Sequence, residues 1–218
     1  MSTKRCAVVL AAGQGTRMKS SLVKVLHPVA GRPMVQRVAL TAIEAGCDPA
    51  VVVIGRQADR VREALGATPQ VRFAVQERQL GTGDAVRSAA AALGDFDGTV
   101  LIVPGDVPLV RTSTLRRLAD AHESAGAAVT VLSMELEDPR WYGRIVRDDS
   151  STVRAIVEAR DCDESQLSIR EVNTGVYAAD ASLLFARDGG LLGGLSTDND
   201  QGELYLTDIV RAASDRGL

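Results

Sequence analysis

The sequence predicts an α/β fold: a Rossmann-like, mainly parallel sheet with helices on both faces and an antiparallel β region appended to it. Three observations carry that prediction. Short Val/Ile/Leu-rich runs alternate with helical patterns through the first half of the chain. These runs are apolar enough to be buried on both faces of a sheet. From Val129 the texture becomes β-rich, with polar turns between successive strands.

The runs AVVL (7–10), VVVI (51–54), VRFAV (71–75) and VLIV (100–103) read as buried strands. After the first, Pro33 stands where a first-turn proline is tolerated. Val35, Val38, Ala39 and Ala42 then follow at i, i+3, i+4 and i+7, and Gly46 stops the helix. The same spacing recurs at Leu115, Leu118, Ala119 and His122. The segments VTVLSMEL, GRIVRDD, TVRAIVEA and EVNTGVYAA read as antiparallel strands that form a second lobe or lid. GGLLGGLSTDNDQGE suits a loop, and residues 204–216 suit a final helix. Strands alternating with helices imply right-handed crossovers, and ligands of such sheets bind beyond the carboxyl ends of the strands.

The length of 218 residues, 45% of them apolar, suits one domain with a sizeable core. A formal charge of −3 argues against nucleic acid held by bulk electrostatics, so a polyphosphate partner requires a local basic cluster. Cys6, Cys47 and Cys162 are odd in number and lack a Cys-x-x-Cys pair, which argues against a disulfide framework or a zinc site and fits a reducing cytoplasm. The N-terminal apolar run is too short for a signal peptide, and no segment approaches the ~20 apolar residues of a membrane span. The expectation is a cytoplasmic protein without a membrane partner.

The first strand runs into AAGQGTRMKSSLVKVLHPVAGRPM, which combines glycines, cations and a Pro-flanked histidine. Gly13-Gln14-Gly15-Thr16-Arg17-Met18 begins like the dinucleotide fingerprint, but Met18 replaces its third glycine. Ile54-Gly55-Arg56 also lacks the acid that would hold a ribose. Met18 equally spoils a P-loop ending at Lys19-Ser20, because a side chain occupies the point where backbone N–H groups would wrap phosphate. Taken alone, the stretch is equally a β-to-α turn with Arg17, Lys19 and Lys24 as solvated charges.

The whole stretch resembles the signature of the nucleotide-sugar pyrophosphorylases, in particular the bacterial uridylyltransferases that make UDP-N-acetylglucosamine. The resemblance implies a nucleotidyltransferase fold, with UTP and N-acetylglucosamine 1-phosphate as substrates, Mg²⁺ as cofactor and cell-envelope precursor synthesis as the destination. By this resemblance Leu10, Ala11, Ala12, Gly13, Gly15 and Thr16 line the nucleotide. Arg17 holds the phosphates that leave as pyrophosphate, and Lys24 contacts the α-phosphate or the incoming sugar phosphate. His27 reads as a packing or hydrogen-bonding residue, because a sugar phosphate is already ionised and needs no general base.

The remaining segments follow in the family's order. Gln76 and Gly81-Thr82 are implied to read uracil, while Thr82 or Asp84 could equally cap a helix. Asp106, in Pro104-Gly105-Asp106-Val107-Pro108-Leu109 just past a buried strand, is implied to be a catalytic residue and the Mg²⁺ ligand. Gly143, Glu158 and Asn173 are implied to bind the acceptor sugar, and Arg160 stands where many relatives have lysine. The family completes its metal shell with an asparagine beyond the final helix, and many members carry a trimerising acetyltransferase β-helix. Neither occurs in these residues, so the expectation for residues 1–218 is a uridylyltransferase domain without its C-terminal end and without acetyltransferase activity.

Overall fold

The computed structural model describes residues 3–13, 15, 18–186 and 188–218. Ten strands and nine helices are assigned among them. β1 (Arg5–Leu10), β4 (Ala50–Ile54), β5 (Val71–Val75) and β6 (Thr99–Pro104) are parallel neighbours in the order β5-β4-β1-β6. A short hairpin of β2 (Pro28–Val29) and β3 (Arg32–Pro33) precedes α1 (Met34–Glu44). α2 (Ala58–Leu65), α3 (Thr82–Ser88), α4 (Ala90–Leu93) and α5 (Thr112–Ala125) lie between or after the parallel strands.

Consecutive side chains of β1 point to opposite faces, and both faces are covered. Cys6 and Val8 join the core under α3, α4 and the C-terminal helices. Ala7 and Val9 join the core under α1, α2 and α5. This two-sided burial is why the central strands read as unbroken apolar runs, and each wholly buried valine contributes roughly 1.5–3 kcal/mol. β5 departs from the expectation of a buried strand: it is the sheet edge, and only Ala74 in it is buried.

The second half adds β7 (Val129–Glu135), β8 (Arg144–Arg147), β9 (Val153–Val157) and β10 (Glu171–Asp180), with α6 (Glu164–Leu167) before β10. These four strands do not form a separate lobe. β10 runs antiparallel to β6 from Tyr177 to Asp180 and pairs with β7 along its length, while β8 joins β10 at Val172, so one eight-stranded sheet runs through the molecule. A register shift between Asn173 and Val176 bends β10 where it passes from one partner to the other.

α7 (Ala181–Leu184) and α8 (Gly190–Gly193) fall within or beside the region expected to be loop. The final helix, α9 (Asp208–Asp215), is shorter than the 204–216 expectation. Residues 204–207 are withheld from it because their backbone is hydrogen-bonded elsewhere. Leu204 N–H donates to Leu80 O at 2.7 Å and Leu204 O accepts from Gly83 N–H at 2.8 Å. No helix among the described residues is long and apolar enough to cross a membrane.

Candidate active site

Among the described residues, those predicted to bind the nucleotide lie at or past the carboxyl ends of β1 and β5, and Asp106 follows that of β6. The register that sets Leu10 beside Pro104 brings the loops after β1 and β6 together. Gly105 N–H donates to Leu10 O at 2.8 Å, and a Cβ on Gly105 would lie 2.9 Å from that oxygen. Ala11 and Ala12 are buried where the chain leaves the sheet. Ala12 O accepts from Gln79 Nε2 at 3.0 Å, fastening the β1 loop to the loop after β5.

Lys24 opens a 3-10 turn (Lys24–Leu26) whose Val25 and Leu26 are buried, so its backbone is anchored while its ammonium stays half exposed. Lys24 Nζ lies 2.5 Å from Asp106 Oδ2. Gly15, at φ +61°, packs directly behind the lysine: a Cβ there would lie 2.5 Å from Lys24 Cβ. Around Gly13 nothing among the described residues lies within 4 Å of an added Cβ, so its small size is not demanded by those neighbours. Thr16 and Arg17 lie outside the described residues. His27 Nε2 lies 3.3 Å from Leu22 O, in keeping with a local hydrogen-bonding role.

Gln76 is buried, and its Nε2 donates to Gly81 O at 3.0 Å and to Asp84 Oδ2 at 2.8 Å. An amide has two N–H donors and both are engaged, so Oε1 is the group it can offer a ligand. Neither Thr82 nor Asp84 caps α3, whose N-cap is Gly81 without a side-chain bond. Asp84 instead holds Gln76, while Thr82 Oγ1 accepts from Leu206 N–H at 3.0 Å. Gly81 meets a steric demand from the protein itself: at φ +121°, a Cβ would lie 2.5 Å from Leu204 O.

The predicted acceptor residues converge on the antiparallel side. Asn173 N–H donates to Gly143 O at 2.8 Å, and its side chain is fixed at both ends, donating to Tyr177 Oη at 2.7 Å and accepting from Gly175 N–H at 2.9 Å. A Cβ on Gly143 would lie 3.5 Å from the Glu158 carboxyl, so those two residues are also neighbours. The guanidinium of Arg144 is buried and donates to the carbonyls of Tyr142 and Arg140, holding the turn that leads into Gly143.

Burial raises the Glu158 pKa above the usual glutamate value. The nearby Asp161 and Asp208 carboxylates add to this, and the Thr207 hydroxyl offsets part of it. Asp208 is raised as well, chiefly by burial. Gly175, at φ +79°, sits against Pro104, where a Cβ would lie 3.1 Å from the ring. Close approaches therefore link Gly15 to Lys24 and Lys24 to Asp106, and link Pro104 through Gly175, Asn173 and Gly143 to Glu158, the two series being joined along the chain by Pro104-Gly105-Asp106.

Three contributors escaped the sequence reading: Asp84 as the anchor of Gln76, Gln79 as the tie to Ala12, and the 204–207 segment as a strap across Gly81 and Thr82. Only the Gly-Thr-Gly spacing at 81–83 signals that a backbone passes close by. A cavity of about 450 Å³ lies apart from this site, between β7–β9 and α9, and none of the predicted site residues lines it. Among the described residues no cluster of three or more His, Cys, Asp or Glu could hold a metal without other ligands.

Comparison with known proteins agrees with this architecture. The chain is 53% identical over 212 residues to the bifunctional protein GlmU of Geobacter metallireducens, covering 97% of this chain and 44% of that protein. It is 49% identical over 220 residues to the bifunctional protein GlmU of Corynebacterium aurimucosum (99% and 44%), and 46% identical over 215 residues to that of Bacillus mycoides (99% and 46%). It thus spans less than half the length of these curated relatives. Among solved structures, a UDP-glucose pyrophosphorylase complexed with UDP-glucose matches with a TM-score of 0.79 at 18% identity, over 99% of this chain and 88% of that one, which shows a shared fold. The profile of the MobA-like NTP transferase domain matches residues 7–169. From its sheet, its sequence and its relatives, the chain belongs to the MobA-like NTP transferase family.

Proposed function

We propose that this chain transfers a uridylyl group from UTP to N-acetylglucosamine 1-phosphate, releasing pyrophosphate and forming UDP-N-acetylglucosamine in the cytoplasm for envelope precursor synthesis. The observation that carries the reading is the Lys24–Asp106 pair at 2.5 Å, backed by Gly15 and joined through the chain at Pro104-Gly105 to the series Gly175, Asn173, Gly143 and Glu158. A phosphate-facing cation and acid on the same surface as a buried carboxylate and a fixed amide suit a nucleoside triphosphate meeting a sugar phosphate.

In the reaction an oxygen of the sugar phosphate bonds to the α-phosphorus of UTP. The bond from that phosphorus to the oxygen bridging the β-phosphate breaks, and pyrophosphate leaves with the electron pair. The nucleophile is already an anion, so no protein base is required. Lys24 orients and neutralises the α-phosphate, and Arg17 is assigned the β- and γ-phosphates. Leu10, Ala11, Ala12, Gly13, Gly15 and Thr16 form the loop against the nucleotide. Gln76 supplies an acceptor oxygen to uracil N3–H, a hydrogen that cytosine lacks, and Gly81-Thr82 fix that edge of the site. Gly143 offers backbone to the acceptor, Glu158 accepts from sugar hydroxyls, and Asn173 reads the sugar or its N-acetyl group.

Asp106 is the residue that would hold the divalent cation of this reaction, assigned as Mg²⁺. Its partly exposed, hard-oxygen carboxylate just past the carboxyl end of β6 fits a cation that takes its remaining ligands from phosphates and water. Bound there, Mg²⁺ would neutralise charge on the triphosphate oxygens. Residues 1–218 act in this reading as a uridylyltransferase domain, and acetyl transfer is not expected of them. Pyrophosphate release, measured with UTP, CTP and GTP against N-acetylglucosamine 1-phosphate, tests the reading. Turnover confined to UTP is expected, and equal turnover with CTP would contradict the role given to Gln76.

A further inference from the structure

The turn that leads into the acceptor side carries a side chain to which the chemistry above gives no task. Tyr142 N–H donates to Pro139 O at 3.1 Å, closing a turn with Arg140 and Trp141 at its two central positions. Arg140 has φ +43°, a left-handed conformation that a residue with a side chain adopts at a cost and keeps only where its surroundings enforce it. Hydrogen bonds from two side chains enforce it here. Arg140 Nε donates to Asp138 Oδ2 at 2.7 Å, while the buried Arg144 guanidinium donates to Arg140 O at 3.2 Å and to Tyr142 O. Yet Trp141, at the tip of this braced turn, is 78% exposed, and an open cavity of about 400 Å³ lies against it and Arg140.

We propose that the Trp141 indole is a stacking platform for the acceptor sugar, a binding residue that favours a pyranose ring beside Gly143. This rests on the acceptor role assigned to Gly143, Glu158 and Asn173 above. Two residues span at most ~7 Å of chain, so the indole is hinged within its own length of the space beside Gly143. Gly143 O accepts from Asn173 N–H at 2.8 Å, and a Cβ on Gly143 would lie 3.5 Å from the Glu158 carboxyl, so the turn is fastened to the polar acceptor residues. Those residues answer the hydroxyls and the amide of the sugar. A pyranose also presents C–H groups on its faces, and these need an apolar partner. The indole offers a flat, electron-rich face, and on a turn that is already fixed only two side-chain torsions remain to be ordered when the sugar binds.

Trp141 is the only tryptophan in the sequence, so the indole fluorescence of the whole chain reports on it alone. Emission and acrylamide quenching are measured with UDP-N-acetylglucosamine, with N-acetylglucosamine 1-phosphate and with UDP, which lacks the sugar, and affinities are measured by calorimetry. Both sugar ligands are expected to move the emission to shorter wavelength and to shield it from acrylamide, whereas UDP leaves both unchanged. Trp141→Ala should weaken UDP-N-acetylglucosamine roughly tenfold and Trp141→Phe less, with the affinity for UDP and the melting temperature unmoved because the side chain is exposed. UDP-N-acetylglucosamine that binds without moving the emission, or that binds Trp141→Ala as well as the parent, overturns the stacking role and leaves the acceptor reading standing. Emission that follows protein concentration instead of ligand marks Trp141 as a contact between copies of the chain and overturns the proposal too. If neither sugar ligand binds, the acceptor reading itself fails and the stacking role falls with it.

Discussion

Replacing Gly15 by alanine should disable the site from behind. Gly15 has φ +61°, a left-handed conformation that costs a non-glycine residue about 1 kcal/mol. The new methyl would also lie 2.5 Å from Lys24 Cβ, whereas carbon atoms in contact rest at ~3.5–4.0 Å. The clash is with the root of the lysine side chain, so rotation of its flexible end gives no relief. Lys24 must retreat by about 1 Å, which opens the 2.5 Å pair with Asp106. A misplacement of that size can cost ~10² in rate. Gly15→Ala should therefore lower kcat/KM in the pyrophosphate-release assay ~10²-fold and the melting temperature by ~3–10 °C. Gly13→Ala is the control: an added Cβ meets nothing within 4 Å among the described residues, so stability should hold while the KM for UTP rises as the methyl meets the nucleotide. Wild-type rate and melting temperature in Gly15→Ala would refute the reasoning.

Gly81→Ala, whose Cβ would meet Leu204 O at 2.5 Å and Leu204 N at 2.7 Å, should destabilise by ~3 kcal/mol or more; an unshifted thermal melt would contradict the strap's contact. Asp84→Ala removes one of the two acceptors that orient Gln76, so the preference for UTP over CTP should fall roughly tenfold in competition assays. Arg5 joins β1 to α5 through Glu123, with two bonds of 2.7 Å, and Asp120 at 2.6 Å, and its hydrogen bonds hold the Glu123 pKa below the usual glutamate value. A depressed carboxyl pKa contributes stability above its ordinary value and loses it as pH falls through the depressed one, so Glu123→Gln should cost ~1–2 kcal/mol at neutral pH and flatten the acid limb of melting temperature against pH.

The central strands were legible because burial on both faces leaves nothing but apolar side chains at Cys6–Val9 and Val51–Ile54. β5 was misjudged as buried because an apolar-rich edge strand has the same composition as an inner one, and only the sheet order reveals the edge. The helix expected over 204–216 began too early for a related reason: Leu204 and Leu206 extend its apolar pattern, but their backbone groups are taken by Leu80, Gly83 and Thr82, far away in sequence. The second lobe became part of the main sheet because β10 is long enough, with its register shift, to pair with both β6 and β8. In the site, Lys24, Asp106, Gly143, Glu158 and Asn173 were reached through family resemblance, and the β1–β6 register explains why the first two meet. The engagement of both Gln76 donors depends on tertiary contacts that no spacing encodes.

The most direct test of uridylyl transfer by this site is pyrophosphate release from UTP and N-acetylglucosamine 1-phosphate at millimolar Mg²⁺, compared between the chain and Asp106→Asn. The account predicts turnover that depends on both substrates and falls ~10²- to 10³-fold in the variant. Absence of turnover in the parent chain, or an Asp106→Asn rate equal to the parent's, would contradict it.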